Sequence, residues 1–347
     1  CGIVGSLGGT GLKSKKCNTI KILKNAVKAL IMPVAVYLIF TAVTVGRFGS
    51  WAVIVTVLRT TVVPMLIAMA MSMPMIMGMW DFSAGAVVYA AAILGANVAA
   101  VTKTGVLGLC VSAMLIALLL TAFSGVLYNR MKIPSLVLTL GLVIVYESFP
   151  RLIVETGCGL IAQKDGYLAQ APWCFILFLI MYVIYCAVYN FTVFGQNIRA
   201  IGANQPIAYS AGVDLSGVKF LSFLLGGTFL GMAAIITMSM NVRLYVASSM
   251  NSISLIFDPM MGVYIALFLS KYCGFTTGLL IGTFTMRMLS TGLVSCGLSA
   301  TARSIVTGFF LLTILCFSSN QGRFEAWTMR KKLKEDVTKE FAVDSSN

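Results

Sequence analysis

The feature that most constrains the fold is a series of long apolar segments, each about the length needed to cross a bilayer. A membrane-spanning helix needs about 20 mostly apolar residues, because lipid offers no partners for backbone N–H and C=O groups. The chain is 59% hydrophobic and only 10% charged. We predict an all-α, polytopic membrane helix bundle of about ten transmembrane helices, near residues 25–46, 51–79, 83–102, 105–128, 134–153, 171–190, 218–240, 254–270, 275–293 and 300–318.

The basic residues indicate how these helices are oriented, because loops on the cytoplasmic side carry an excess of Lys and Arg. Placing the N-terminus inside puts 17 of the 25 basic residues on the cytoplasmic side: Lys13, Lys15, Lys16, Lys21, Lys24, Lys28, Arg130, Lys132, Arg199, Lys219, Lys271, Arg323, Arg330, Lys331, Lys332, Lys334 and Lys339. We therefore predict an N-in/C-in topology. The net charge of +14 is spread over short loops, which argues against a nucleic-acid-binding surface.

The organisation along the chain follows from these segments. Residues 1–24 are expected to form a cytoplasmic basic arm, residues 25–318 a transmembrane domain, and residues 319–347 a cytoplasmic tail. Within the membrane domain, residues 194–217 are expected to form a cytoplasmic loop. Two pairs of glycines spaced four residues apart, at 227/231 and 278/282, predict close helix–helix contacts.

The residues available for chemistry exclude several classes of site. The chain has no histidine and no C-x-x-C pair among its nine cysteines, so we expect no metal site, no cofactor site and no catalytic residues. The run from Gly8 to Lys15 lacks the spacing and the preceding strand of a phosphate-binding loop. The sequence leaves open whether Cys158 and Cys174 form a disulfide. We expect that Cys1 is the start of a truncated or processed chain.

Acidic residues within apolar segments are candidates for contact with a permeating solute, because a buried charge costs about 2.5–3.5 kcal/mol at the bilayer centre. We assign Asp81, Glu147 and Asp258 to the substrate pathway on this ground, together with Ser83, which lies in the same polar break as Asp81. Asp81 lies in a polar break between two apolar runs, which predicts an interrupted span or a re-entrant turn. Capping of a helix N-terminus is the alternative role for Asp81 and Asp258.

A polar, glycine-punctuated island from Phe194 to Asp214 separates two apolar segments. Gly195 is predicted to end the preceding span, and Asn204 to cap a short helix from Pro206 to about Ala211. Gly212 is predicted to end that helix in a left-handed conformation. A helix of two turns is too short to be stable alone, so it packs either on a partner or on the membrane surface.

Four stretches in the same order resemble the ribose-type permease subunits of ABC importers, part of a superfamily shared with branched-chain amino acid and nucleoside permeases. They are G-M-W-D-F-S-A-G at 78–85, K-I-P with T-L-G between 132 and 141, the island at 194–214, and Asp258. Phe82 stands where that pattern has leucine, and bulky residues with Lys271 follow Asp258 where small residues are usual. The resemblance spans roughly residues 20–318.

The resemblance implies a transmembrane subunit of the bacterial plasma (inner) membrane that imports a monosaccharide-like solute. The implied partners are a second permease copy, a cytosolic ABC ATPase subunit that binds ATP-Mg, and an extracytoplasmic solute-binding protein. The island would dock on the ATPase through Arg199, Gly202, Asn204, Gln205, Pro206, Ala208, Ala211 and Gly212.

Other functions stay open at this stage. A nucleoside or a branched-chain amino acid could be the solute, since sister families have similar loops. An ion-coupled secondary transporter is the alternative from a different class, because Asp81 and Asp258 beside broken helices would suit ion coupling. The sequence does not decide between a homodimer and a heterodimer.

Overall fold

In a computed structural model of the chain, the described residues are 30–44, 48–131, 133–154, 158–161, 163–241, 243–246, 250–270 and 272–319. The predicted basic arm, the run from Gly8 to Lys15 and the predicted tail beyond residue 319 lie outside these ranges. An α-helix occupies each of the ten apolar segments: α1 (Leu30–Val43), α2 (Trp51–Ile76), α3 (Ala84–Thr102), α4 (Gly105–Met131), α5 (Ser135–Ile153), α6 (Trp173–Phe191), α9 (Leu215–Asn241), α10 (Ser254–Leu269), α11 (Phe275–Ser295) and α12 (Ala300–Ser319).

Two shorter helices, α7 (Val193–Ala203) and α8 (Gln205–Ser210), lie in the polar island between α6 and α9. Within the described ranges, seven helical segments are long and apolar enough to cross a membrane: α2 to α6, α9, and the stretch Asn251–Leu269 that contains α10. Helix α12 belongs to a separate compact unit that begins at Ser299.

Small residues set the closest helix contacts, as the glycine spacing predicts. Gly227 and Gly231 of α9 pack against α4, where a β-carbon on Gly231 would lie 3.1 Å from the Cα of Met114. Gly278 and Gly282 of α11 pack in the same way against α10. Both predicted contacts are confirmed, because only a hydrogen at Cα lets the two backbones approach this closely.

The described residues also include two short strands, which the all-α prediction missed. Strand β1 (Cys158–Leu160) pairs antiparallel with β2 (Arg243–Tyr245), and Gly159 lies opposite Leu244. Gly159 packs on α3, since a β-carbon there would lie 2.9 Å from the Cα of Ile93. Strand β1 lies in the loop after α5, which continues into the 3₁₀ helix Gln163–Ala169, and β2 lies in the loop after α9. The pairing of the strands therefore joins these two loops.

Cys174, near the start of α6, is a fully buried free thiol. The disulfide that the sequence left open between Cys158 and Cys174 is therefore not formed. Burial of this thiol among apolar groups is the usual environment of an unreactive cysteine.

Candidate functional site: the polar island and two buried carboxylates

The polar island begins where α6 ends at Phe191 and the extended residue Thr192 redirects the chain. The Thr192 side-chain oxygen accepts a hydrogen bond from the Gly195 N–H at 3.3 Å and so caps α7. The prediction that Gly195 breaks the span is wrong by three residues, because Gly195 lies inside α7. A side chain there would overlap the carbonyl of Tyr189, so glycine allows α7 to fold back on the end of α6.

Helix α8 has the caps that the sequence predicts. The Asn204 Oδ1 accepts from the Ile207 N–H at 3.2 Å, and Gly212 has a φ of +84°. The Gly212 N–H donates to the Tyr209 carbonyl at 2.9 Å, while the Val213 N–H donates to the Ala208 carbonyl at 3.1 Å. These two bonds form a Schellman motif, which satisfies carbonyls at the end of the helix.

The faces of α8 differ in exposure. Ala208 is 3% exposed and packs inward, whereas Ile207 is 67% and Tyr209 70% exposed. Two large side chains, two residues apart and therefore on different sides of the helix, thus project from a helix of only six residues that is fixed at both ends. A rigid helix with exposed apolar side chains is suited to bind a groove on another protein.

The island contacts the end of α2 directly. The Gln205 Nε2 donates to the Met77 carbonyl at 3.0 Å. A β-carbon on Gly202 would lie 2.5 Å from the Ile76 carbonyl oxygen, so α7 and α2 are in backbone contact at this point. The exposed Arg199 lies over the Tyr189 ring, 5.5 Å from its centroid. The predicted docking residues lie in α7, in α8, in the turn that follows α8, or, for Asn204, at the extended residue between the two helices: Arg199, Gly202, Asn204, Gln205, Pro206, Ala208, Ala211 and Gly212.

The polar break between α2 and α3 covers residues 77–83. Asp81 is buried, and its Oδ1 accepts from the Ser83 N–H at 2.9 Å and from the Ser83 hydroxyl at 2.6 Å. The carboxylate therefore organises the turn that starts α3, which was the alternative role predicted for it. The break itself is confirmed.

The same break contacts α5 through the backbone N–H and the backbone carbonyl of Trp80. The Trp80 N–H donates to the Ser135 hydroxyl oxygen at 3.0 Å. The Thr139 hydroxyl lies 3.3 Å from the Trp80 carbonyl oxygen and 2.9 Å from the Ser135 carbonyl oxygen of its own helix, so its one proton is shared between them. The break therefore contacts the first turns of α5. Neither contact was predicted, because the partners are about 55 residues apart in the chain and hydroxyl groups are common in helices.

Glu147 of α5 is the second buried carboxylate, at 6% exposure. Its Oε2 accepts from the Met250 N–H at 2.9 Å, and its Oε1 accepts from the Ser252 N–H at 2.8 Å. Both N–H groups belong to the turn and 3₁₀ helix (Asn251–Ile253) that lead into α10. Glu147 therefore holds this turn against the bundle, where Gly85 of α3 is in contact with the Ser252 carbonyl.

Asp258 lies at the fifth position of α10, so the predicted N-terminal capping role is wrong for this residue. Its Oδ2 accepts from the Ser290 hydroxyl of α11 at 2.8 Å and lies 3.8 Å from the Arg287 Nη1. The Arg287 Nε donates to the Thr60 hydroxyl oxygen of α2 at 3.2 Å. The pair thus joins α10, α11 and α2 through charge-assisted hydrogen bonds.

The four predicted pathway residues do not form one site through these contacts. Asp81 and Ser83 bond to each other, Glu147 bonds to the turn before α10, and Asp258 bonds to α11. All three carboxylates accept hydrogen bonds from groups of the chain itself.

The long apolar helices and the capped helix of the polar island define the class: a polytopic membrane protein with an all-helical bundle. The chain belongs to the family described as the branched-chain amino acid transport system permease component, whose family model matches residues 53–315. It is therefore a permease component of an ABC importer, and such a component is a transport subunit rather than an enzyme.

Curated relatives agree with this family. The chain is 24% identical to the "Autoinducer 2 import system permease protein LsrC" of Photorhabdus laumondii, covering 78% of this chain and 82% of the relative. It is 27% identical to the "Ribose import permease protein RbsC" of Bacillus subtilis, covering 75% and 82%. For the "L-arabinose ABC transporter permease protein AraH" of Azospirillum brasilense the identity is 24%, covering 50% and 52%.

Among solved structures, a candidate metal-chelate type ABC transporter in an inward-facing conformation matches with a TM-score of 0.46 and 12% identity, covering 86% of this chain and 98% of that one.

Proposed function

We propose that this permease subunit forms the translocation pathway for a monosaccharide-like solute in a bacterial plasma (inner) membrane. An extracytoplasmic binding protein hands over the solute, a separate cytosolic ABC ATPase binds ATP-Mg, and a second permease copy completes the pathway. The names of the relatives support the solute class, since two of them import ribose and L-arabinose.

The orientation that we propose, N-in and C-in, rests on which helix ends lie together. The end of α2 contacts the island through Gln205 and Met77, and the Asn129 amide near the end of α4 donates to the Ser216 carbonyl at the start of α9 at 2.9 Å. Arg130, Arg199 and Lys219 belong to these ends. The positive-inside rule places such a basic end in the cytoplasm.

On this orientation, residues 25–318 form the permease domain, flanked by the basic arm at 1–24 and the tail at 319–347. The loop 194–217 lies in the cytoplasm and α8 is a coupling helix. The observation that carries the proposal is the exposure of Ile207 and Tyr209 on a helix capped at both ends. An ATPase groove that covers these two side chains would gain the burial of two large apolar groups, about 1.5–3 kcal/mol each.

On this proposal, closure of the ATPase is transmitted from α8 to the membrane helices through a series of direct contacts. Force on α8 reaches the Met77 carbonyl through Gln205, and the break 77–83 passes it to α5 through the two contacts of Trp80. Twelve residues after Ser135 in α5, Glu147 holds the turn before α10. Helix α5 therefore links the coupling helix to the turn before α10.

The test of coupling is to replace the two exposed side chains, as in the double variant Ile207→Ser/Tyr209→Ala. We expect solute-stimulated ATP hydrolysis of the reconstituted importer to fall at least tenfold, corresponding to about 1.4 kcal/mol, while the amount of inserted permease is unchanged. Val101→Ser is the matched control, because Val101 is 83% exposed but lies at the end of α3. Unchanged hydrolysis in the double variant would reject α8 as the coupling helix.

The solute and partners are tested by purifying the full chain from native membranes in mild detergent. We expect an ATPase subunit and a solute-binding protein to co-purify, and the binding protein to bind a monosaccharide in calorimetry. A binding protein that takes only branched-chain amino acids or nucleosides would contradict the proposed solute and leave the coupling proposal intact.

A further inference from the structure

Aromatic side chains follow one face of α10. Phe257, Tyr264 and Phe268 are separated by seven and four residues, which places them on the same side of an α-helix. Phe257 and Tyr264 are half-buried, and Phe268 is 37% exposed. Eleven residues of helix cover about 16 Å, so this face extends over about half of the hydrocarbon core of a bilayer, which is about 30 Å thick.

The break between α2 and α3 adds two more rings to this face. Burial alternates along the break: Met79, Asp81 and Ser83 are buried, whereas Trp80 and Phe82 are half-buried. The Trp80 and Phe82 rings are nearly parallel, at 7° with centroids 6.1 Å apart, and the Tyr264 ring lies 6.0 Å from Trp80.

The position of these rings is fixed by the backbone rather than by ring contacts alone. The backbone N–H of Trp80 is bonded to Ser135 of α5, and its backbone carbonyl oxygen lies 3.3 Å from the Thr139 hydroxyl of the same helix. The adjacent Asp81 carboxylate holds the turn in place through Ser83. The aromatic face is therefore held in a fixed position before any solute arrives, which lowers the entropy cost of binding.

A face turned to lipid has a different composition in this molecule. The most exposed face of α4 carries the aliphatic residues Leu107, Val111, Leu115 and Leu119, which are 55–77% exposed, and then one aromatic residue, Phe123, which is 51% exposed. Trp and Tyr residues that contact lipid gather at the two membrane surfaces, whereas Tyr264 lies within the α10 face, seven residues after Phe257 and four before Phe268. Its rings are also only partly exposed. This pattern is typical of a surface that lines a pathway rather than of one that faces lipid.

We propose that Trp80, Phe82, Phe257, Tyr264 and Phe268, the aromatic face, form a wall of the translocation pathway along which the ring of the solute moves. The flat C–H side of a cyclic sugar packs on the electron-rich faces of aromatic rings, while its hydroxyl groups stay turned toward water. Several weak contacts in a row let a solute enter and leave without being trapped. The solute class rests on the proposed function, but the placement of the pathway does not.

Cysteine accessibility tests the placement. In a chain whose nine native cysteines are replaced and which still supports uptake, Phe82→Cys, Tyr264→Cys and Leu119→Cys are each introduced singly. In native membranes that contain the assembled importer, a membrane-impermeant thiol reagent should modify the first two at least tenfold faster than the cysteine at position 119. Equal, slow modification at all three positions would overturn the proposal.

Uptake by single ring variants provides the second readout. Tyr264→Phe keeps the ring and should import within about twofold of the parent, whereas Tyr264→Ala should reduce uptake about tenfold, corresponding to about 1.4 kcal/mol. Equal uptake by the two variants would also count against the aromatic face. Slow modification together with intact coupling at α8 would reject the aromatic face alone and leave the proposed function standing.

Discussion

The buried carboxylates of Asp81 and Glu147 both accept hydrogen bonds from backbone N–H groups, but the contact of Asp81 is local and that of Glu147 is long-range. Each carboxylate is 6% exposed and accepts hydrogen bonds from backbone N–H groups just before a helix. Asp81 finds its partner two residues away, in its own turn. Glu147 finds its partners 103 and 105 residues away, on another part of the bundle.

The difference indicates that Glu147 stabilises the packing of the bundle, whereas Asp81 stabilises only its own turn. If Asp81 is removed, its turn loses one cap, but the neighbouring helices stay joined by other contacts. If Glu147 is removed, two buried N–H groups lose their acceptors and the turn before α10 loses a bond to α5. An unsatisfied buried donor costs about 1–3 kcal/mol, so the two sites should differ clearly in stability.

The largest effect is expected for Glu147→Ala. Leaving the Met250 and Ser252 N–H groups without an acceptor should destabilise the fold by about 3 kcal/mol, measured as a fall in the thermal unfolding midpoint in detergent. Glu147→Gln, which keeps an acceptor oxygen, should lose about half as much. If alanine and glutamine behave alike and close to the parent, the turn does not depend on Glu147.

An intermediate effect is expected for Asp81→Ala, about 1 kcal/mol, the usual value of a lost side-chain cap at a helix start. Asp81→Asn should be close to the parent, since asparagine caps as well as aspartate does. A loss at Asp81 as large as that at Glu147 would remove the contrast between a local and a long-range carboxylate.

The smallest effect is expected at Ser252, beside the Glu147 contact. Its hydroxyl is fully buried and has no hydrogen-bond partner among the described atoms. Removing an unpaired buried hydroxyl is neutral or stabilising, so Ser252→Ala should change stability by no more than about 0.5 kcal/mol. The same unfolding measurement checks it, and a clear loss would show that the hydroxyl is bonded in the membrane.

The same distinction explains how much the sequence could predict. Asn204 and Gly212 were identified because a cap and a left-handed residue act within a few positions, and the ten helices follow from the local density of apolar residues. Asp258 was misplaced because Pro259 indicated a helix start, although the helix begins four residues earlier at Ser254. The partners of Glu147 depend on the packing of α5 against a distant turn, for which no short pattern exists.

The pairing of β1 with β2 has a consequence for how the protein is made. Gly159 and its partner Leu244 are 85 residues apart in the chain. At about 5–20 residues per second of synthesis, β1 waits roughly 4–17 seconds for its partner to emerge. During that interval α6 to α9 are produced while the loop after α5 has an unpaired edge. Completion of this small sheet therefore marks a late step in assembly, after α9 has been made and can pack on α4.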